Sequence, residues 1–179
     1  MTLSAHFLYK IIILFSPVCF GGVAHMVIVK RNLFPRLNIP ISPRWLGQNK
    51  TYRGLICVPL LTAVGAVATR SLAGHSVPQD LRLQWPFVGH GLIVGFLYIL
   101  GEIPNSYLKR RLKVYPGQLP SGVTYWGFRF LDTFDSFLPI TLYYGWIFRF
   151  TVGQNCIALA LFIVFAECVK KGLVICRLK

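Results

Sequence analysis

The chain has 179 residues, of which 55% are hydrophobic and only 13% are charged, and its formal net charge is +14. A soluble domain carries roughly 25% charged residues, so this composition excludes an ordinary soluble protein and favours a membrane protein. A positive charge of this size is also typical of proteins that bind nucleic acid. The apolar chain offers no extended basic surface, however, so we expect no nucleic-acid partner.

Long apolar runs, taken in chain order, predict about five transmembrane helices. The runs cover residues 11–29, 54–69, 85–100, 134–151 and 155–169. Some are shorter than the roughly 20 residues that a helix needs to cross the hydrocarbon, so flanking residues must extend them. We therefore expect an all-α integral membrane protein: a bundle of about five transmembrane helices with two cytoplasmic loops, forming one domain over residues 1–179.

The first run has two interpretations, a cleaved signal peptide or a retained helix. Basic residues Lys30, Arg31 and Arg36 follow the run, whereas only Lys10 precedes it. This asymmetry favours a retained helix whose C-terminal end lies in the cytoplasm.

The distribution of charge also predicts the topology of the whole chain. Most of the 19 Lys and Arg residues fall after the first run, between the third and fourth runs, and in the C-terminal tail. The positive-inside rule then places the N-terminus outside, and the C-terminus and both large loops in the cytoplasm. The same charges attract anionic membrane lipids, at about 1 kcal/mol for each residue near the surface.

The first polar motif, "GQNKTYRG", begins at Gly47 and precedes the second run. Lys50 and Arg53 are three positions apart, so on a first helical turn they would share a face. Backbone N–H groups at a helix N-terminus favour an anion there, and Thr51 adds a hydroxyl. A solvated basic loop end would look similar, so both interpretations stay open.

The second motif, "GEIPNSYLKRR", leaves the third run. Glu102, Ser106, Lys109 and Arg110 follow helical spacing and form one stripe. An acid, a hydroxyl and two cations in line suit a metal-bound polyphosphate. The alternative is an amphipathic helix that binds lipid headgroups, with Glu102 paired to a nearby cation.

The third motif, "LDTFDSF", places Asp132 and Asp135 on one face of a helical turn, with Ser136 beside them. The chain has only five acidic residues, and ionisable groups at membrane depth are costly and usually mark a site. The alternative is that Asp132 caps the fourth helix and that both acids complement its dipole.

The three motifs are predicted to lie on one face of the membrane. A divalent cation between two neighbouring carboxylates is the simplest way to relieve the repulsion between their negative charges. Oxygen ligands without His or Cys indicate that this cation is Mg²⁺. Neighbouring lysines and arginines then indicate that phosphate groups bind beside the cation.

The two remaining acids are not assigned to this site. Asp80 is predicted to face outside, and Glu167 is expected to pair with Lys170 or Lys171.

Together the second and third motifs resemble the signature of the phosphatidate cytidylyltransferases (CDP-diacylglycerol synthases). The short length and "GQNKTYRG" are similar to the archaeal-type branch of that superfamily, the CDP-archaeol synthases. The similarity covers residues 47–137. Glu102 stands where the family usually has Asp, and Tyr52 stands where Trp is common.

The resemblance implies an enzyme that condenses CTP with a lipid phosphate, phosphatidate-like or an isoprenoid ether lipid, to give CDP-lipid and pyrophosphate. It implies Mg²⁺ held by Asp132 and Asp135, with Glu102 at the third metal position, and Asp132, Asp135 and Lys109 as the catalytic residues. The substrate-binding residues that it implies, including neighbours within the same motifs, are Asn49, Lys50, Thr51, Arg53, Ser106, Arg110 and Arg111.

Two other functions stay open. A catalytically impaired homologue that binds a lipid or a partner protein is favoured by Glu102, which is one methylene longer than Asp. A small transporter would need polar or discontinuous helices. The glycines near Gly21 and Gly91 offer such a feature, although helix packing explains them more simply. A homodimer is one option for the assembled state, because small helical membrane enzymes often pair to enclose a site.

Overall fold

The computed structural model describes residues 5–77, 87–115 and 123–176, and the described chain is helical. Two short 3₁₀ turns cover Pro35–Leu37 and Gly74–Ser76. The only β pairing among these residues is an isolated bridge between Pro40 and Thr51. The all-α prediction is confirmed, and the five long helices among the described residues are α1 (Ala5–Lys30), α2 (Tyr52–Ala73), α3 (Phe87–Arg111), α4 (Val123–Phe148) and α5 (Val152–Ile175).

Three of the five helices, α1, α2 and α3, are long and apolar enough to cross a membrane. Helices α4 and α5 have 26 and 24 residues. At a rise of about 1.5 Å per residue, either exceeds the roughly 30 Å of hydrocarbon, so length alone would permit a span. A membrane protein is therefore indicated, whereas the count of five spans stays a prediction.

Two helices extend well beyond the apolar runs, and both extensions carry polar motifs. Helix α3 continues to Arg111, so the whole second motif is helical. Helix α4 begins at Val123, which puts Asp132 inside the helix and not at its start. The alternative that Asp132 caps this helix is therefore wrong. Helix α4 ends at Phe148, earlier than the apolar run, because Arg149 adopts a positive φ of 51°.

An aromatic core joins α1, α4 and α5. The ring of Phe15 in α1 stacks on Phe162 in α5 with centroids 5.4 Å apart, and it lies 6.0 Å from Phe137 in α4. Tyr144 is completely buried, and its hydroxyl donates a 2.8 Å hydrogen bond to the carbonyl of Leu14. Within a membrane, close packing and buried hydrogen bonds stabilise the association of helices. The hydrophobic effect does not contribute there, because lipid tails are as apolar as the side chains.

Small residues bring α2 into close contact with its neighbours. A side chain at Gly91 or Gly95 of α3 would collide with the α2 backbone near Ala63 and Pro59, and one at Gly21 of α1 would collide with Thr62. These three glycines therefore serve helix packing, as small residues do at membrane helix interfaces. Gly22 and Gly89 make no such contact, so helix packing accounts for three of the five glycines of the two segments that favoured a transporter.

Candidate functional site

The three sequence motifs meet in a cleft of about 1050 Å³ at one end of the bundle. Its walls come from the loop before α2, the last turns of α3 and α5, and the first turns of α4. Ligand pockets typically measure roughly 300–1,000 Å³, so the cleft is large enough for a nucleotide. Its polar and charged walls include Asn49, Lys50, Glu102, Asn105, Ser106, Lys109, Arg110, Arg129, Asp132, Thr133, Asp135, Glu167, Lys170 and Lys171.

Asn105 connects the two aspartates of the third motif. Its side-chain nitrogen donates hydrogen bonds of 2.6 Å to Asp132 Oδ1 and 2.7 Å to Asp135 Oδ2. The amide is buried, with 8% of the residue exposed. A donor between two like charges lowers their mutual repulsion, so Asn105 lets the aspartates share one site.

Glu102 joins the same cluster through Ser136. The Ser136 hydroxyl lies 3.0 Å from Asp135 Oδ1 and 3.4 Å from Glu102 Oε1, so it is shared between the two acids. Three of the five acidic residues of the chain thus converge, although they come from two helices. The sequence analysis placed the motifs of these acids on one face of the membrane, and the structure brings the acids together; the membrane face itself stays a prediction.

Lysines neutralise two of the three acids. Lys50 forms an ion pair with Glu102, and Lys109 forms one with Asp132, where Nζ lies 2.6 Å from Oδ2. The Lys109 ammonium also lies over the ring of Phe128, 5.6 Å from its centroid. Glu102 is therefore paired with a cation, but that cation belongs to the first motif and not to the helix of Glu102.

Arg53 does not line the cleft. It is buried, with 5% of the residue exposed, and its guanidinium donates to Asn32 Oδ1 at 3.2 Å and to the Leu33 carbonyl at 3.3 Å. The expectation that Lys50 and Arg53 share a face is wrong, because α2 begins only at Tyr52 and Lys50 precedes it. Arg53 holds the turn after α1 instead.

Thr51 also has a structural position. Its hydroxyl accepts a 3.5 Å hydrogen bond from the backbone N–H of Gly54 and caps the N-terminus of α2. A cap of this type satisfies one of the free N–H groups of the first turn. The structure thus supports capping for this hydroxyl.

The two arginines of the second motif diverge. Arg110 lines the cleft and packs against Gly47, whose φ is 85° and whose added Cβ would lie 2.6 Å from Arg110 Nε. Arg111 lies outside the cleft: its Nε donates a 2.9 Å hydrogen bond to the hydroxyl of Tyr107, and its guanidinium lies over the ring of Trp45.

Several cleft residues were missed by the sequence analysis. Asn105 falls on the same helical stripe as Glu102 and Lys109, so its spacing was a usable signal. Glu167 pairs with Lys170 at 2.8 Å, as expected, but both side chains also line the cleft. Their position depends on how α5 packs, which local spacing cannot show. Asp80 lies outside the described residues.

An apolar pocket of about 270 Å³ adjoins the cleft. It lies mainly between α1, α3, α4 and α5, and its walls include Phe15, Val18 and Ile99. Four residues line both spaces: Tyr98, Glu102, Asp132 and Lys170. A polar, charged space therefore borders an apolar one, an arrangement that suits an amphiphilic ligand.

The cluster contains oxygen atoms of the type that bind a hard cation such as Mg²⁺, although a side-chain nitrogen, that of Asn105, lies between the two aspartates. Two carboxylate oxygens approach the same Asn105 nitrogen, and the Asn105 side-chain oxygen is buried without a hydrogen-bond partner. Carboxylate and amide oxygens are the ligands that Mg²⁺ and Ca²⁺ prefer. Within the described ranges, no group of three or more His, Cys, Asp or Glu side chains is arranged as a ready-made metal site.

Comparisons with known proteins identify no relative: no family model, no curated protein and no solved structure matches this chain. Functional inference therefore depends on the three motifs and on the site that they form.

Proposed function

We propose that this protein is a membrane cytidylyltransferase that condenses CTP with a lipid phosphate to give CDP-lipid and pyrophosphate. The observation that carries the proposal is the convergence of Glu102, Asp132 and Asp135 with Lys50 and Lys109 in a cleft that borders an apolar pocket. The choice of cytidine comes from the family resemblance of the motifs.

The proposed reaction is a nucleotidyl transfer. An oxygen of the lipid phosphate forms a bond to the α-phosphorus of CTP, and the bond between that phosphorus and the oxygen bridging to the β-phosphate breaks. Pyrophosphate leaves with the electron pair. No general base is required, because a lipid phosphate is already ionised near neutral pH, so the protein mainly aligns the two phosphates and neutralises charge.

The charged walls of the cleft supply these functions. Lys50, Lys109 and Arg110 would bind the triphosphate, and the nearby hydroxyl of Ser106 would support it. The three acids would hold Mg²⁺. When bound, that ion neutralises phosphate charge and orients the leaving group.

The bundle would keep the lipid in the bilayer while its headgroup reaches the cleft. In this proposal all five helices span the membrane, the N-terminus is outside, and the cleft and the C-terminus face the cytoplasm, where CTP is available. A homodimer is compatible with this arrangement.

The direct test is turnover by the purified protein in lipid nanodiscs. With CTP, Mg²⁺ and phosphatidate, we expect stoichiometric CDP-lipid and pyrophosphate, and no product when any one of the three is omitted. An archaeal-type ether lipid phosphate, assayed in parallel, identifies the preferred acceptor. Asp132→Asn should lower kcat/KM by about 100-fold or more, because one charge of the cluster is lost.

The proposal is contradicted if the wild-type protein binds CTP and lipid phosphate but forms no CDP-lipid under any of these conditions. Activity of Asp132→Asn equal to that of the wild type would contradict the assigned site. A thermal unfolding curve for each variant separates loss of chemistry from loss of folding.

A second candidate is a catalytically impaired relative that binds a lipid or a partner protein. One observation favours it: side chains of the chain itself already neutralise or hydrogen-bond all three acids, with Lys50 on Glu102, Lys109 on Asp132 and Asn105 on Asp135. The Glu102→Asp variant discriminates between the two functions. A large gain in CTP consumption over an inactive wild type indicates an impaired enzyme, whereas a wild type that turns over excludes this candidate.

A further inference from the structure

The cleft and the apolar pocket share a boundary, and one basic residue lies on it. Of the four residues that line both spaces, Tyr98 is neutral, Glu102 and Asp132 are acidic, and Lys170 is the one cation. An amphiphile whose chain occupies the apolar pocket must place its headgroup at this boundary. The chemistry of the boundary therefore determines which headgroup can bind.

The ammonium of Lys170 is held in position by two neighbours. It donates to Glu167 Oε1 at 2.8 Å and to Thr133 Oγ1 at 2.8 Å, and Thr133 in turn donates to the same Glu167 oxygen at 2.9 Å. An ammonium has three N–H donors, so two contacts leave one for a ligand. Lys170 is thus a positioned cation and not a mobile surface lysine.

We propose that Lys170 binds the phosphate of the lipid acceptor, with the hydrocarbon chain of that lipid in the apolar pocket. This assignment rests on the proposed function for the identity of the acceptor, but the binding step itself needs neither CTP nor Mg²⁺. It separates the cleft into two anion sites. Lys50, Lys109 and Arg110 serve the triphosphate, and Lys170 serves the phosphate that attacks.

Charge balance at the boundary supports this division. Glu102 and Asp132 would repel a phosphate if they were free, but each pairs with its own lysine from another part of the cleft. Lys170 pairs with Glu167, while Arg129 and Lys171 add two more cations to the same wall. A phosphate monoester, which carries more negative charge than a zwitterionic headgroup, gains most from this surface.

Binding measurements in nanodiscs test the assignment without CTP or metal. The probes are a short-chain phosphatidate, the matching short-chain diacylglycerol and inorganic phosphate. Lys170→Met should weaken phosphatidate binding at least about tenfold, because a charge-assisted contact is lost, and should leave diacylglycerol binding unchanged. Lys30→Met, which removes the same charge at the exposed end of α1, should match the wild type.

A second variant tests the apolar half and does not depend on Lys170. Gly22 lines the apolar pocket, and a Cβ added there has no heavy atom within 4 Å, so the backbone tolerates a side chain at this wall and Gly22→Leu should narrow the pocket. We expect it to weaken phosphatidate binding about tenfold or more and to leave the binding of inorganic phosphate unchanged.

Two results overturn the inference: equal phosphatidate affinity in Lys170→Met and the wild type, or inorganic phosphate that binds as tightly as phosphatidate. Turnover assays separate this inference from the proposed function. If phosphatidate binds through Lys170 and no CDP-lipid forms, the inference stands and the enzyme proposal fails. If CDP-lipid forms with the same KM for the lipid in Lys170→Met, the inference fails and the enzyme proposal stands.

Discussion

Lys50 and Glu102 form an ion pair across the cleft, although 52 positions separate them in the chain. Lys50 precedes α2 and Glu102 lies near the end of α3, so this contact joins the first motif to the second. Their side chains are 22% and 24% exposed, which places the pair between a surface and a buried ion pair. Glu102 thus faces the cleft and its cations, at the boundary with the apolar pocket.

Reversing this ion pair should separate its structural role from its role in binding. Lys50→Glu and Glu102→Lys should each lower the free energy of unfolding by about 1–2 kcal/mol, a value between those of exposed and buried pairs. The double variant should recover most of that loss but not CTP turnover, because the cation has left the triphosphate side. Unfolding titrations in mixed micelles measure the coupling, and additive losses would contradict the pair.

Asn105→Asp tests metal binding without reference to activity. A third carboxylate beside Asp132 and Asp135 should destabilise the protein in EDTA, because like charges repel, and should strengthen Mg²⁺ binding about tenfold or more. The measurement is the unfolding temperature over a Mg²⁺ titration. Asn49→Asp adds the same charge at an exposed position of the cleft and should change the Mg²⁺ dependence much less. Equal behaviour of the two variants would place the ion elsewhere.

Gly101→Ala tests the close approach of α3 to α4. An added Cβ at Gly101 would collide with the backbone carbonyl of Asp135, so α3 and α4 would have to separate at the acid cluster. We expect a loss of about 1–3 kcal/mol in stability, as for other overpacked sites, together with loss of turnover. Gly89→Ala on the same helix meets nothing within 4 Å and should be neutral or stabilising by up to about 1 kcal/mol. Similar thermal stability of the two variants would contradict this prediction.

Arg53→Gln tests whether this arginine stabilises the fold or binds substrate. Its guanidinium is buried and bonded to Asn32 and the Leu33 carbonyl, so its loss should lower stability by about 1–3 kcal/mol. The KM for CTP of the folded variant should stay at the wild-type value. Lys109→Gln, by contrast, should raise that KM or lower kcat, because Lys109 lines the cleft. A raised KM for CTP in Arg53→Gln would restore the substrate-binding role that the motif suggested.

The amino-acid sequence by itself determined the helical class, the approximate position of the apolar part of each helix and the stripe on α3. Hydropathy and helical periodicity are properties of a short window, so they can be read without knowing what lies opposite. The stripe of Glu102, Ser106 and Lys109 was predicted for this reason, and all three residues line the cleft. The pairing of Glu167 with Lys170 was predicted for the same reason.

Only the tertiary structure decided which of these groups touch. Lys50 reaches Glu102 while Arg53 turns to Asn32, because α2 begins between them at Tyr52. The ends of α3, α4 and α5 lie around one cleft. Their packing places Asn105 within hydrogen-bond distance of two aspartates and places Lys170 at the edge of the apolar pocket. Such contacts depend on how closely whole helices pack, which is set by pairs of residues far apart in the chain, such as Gly101 and Asp135, and cannot be read from local spacing.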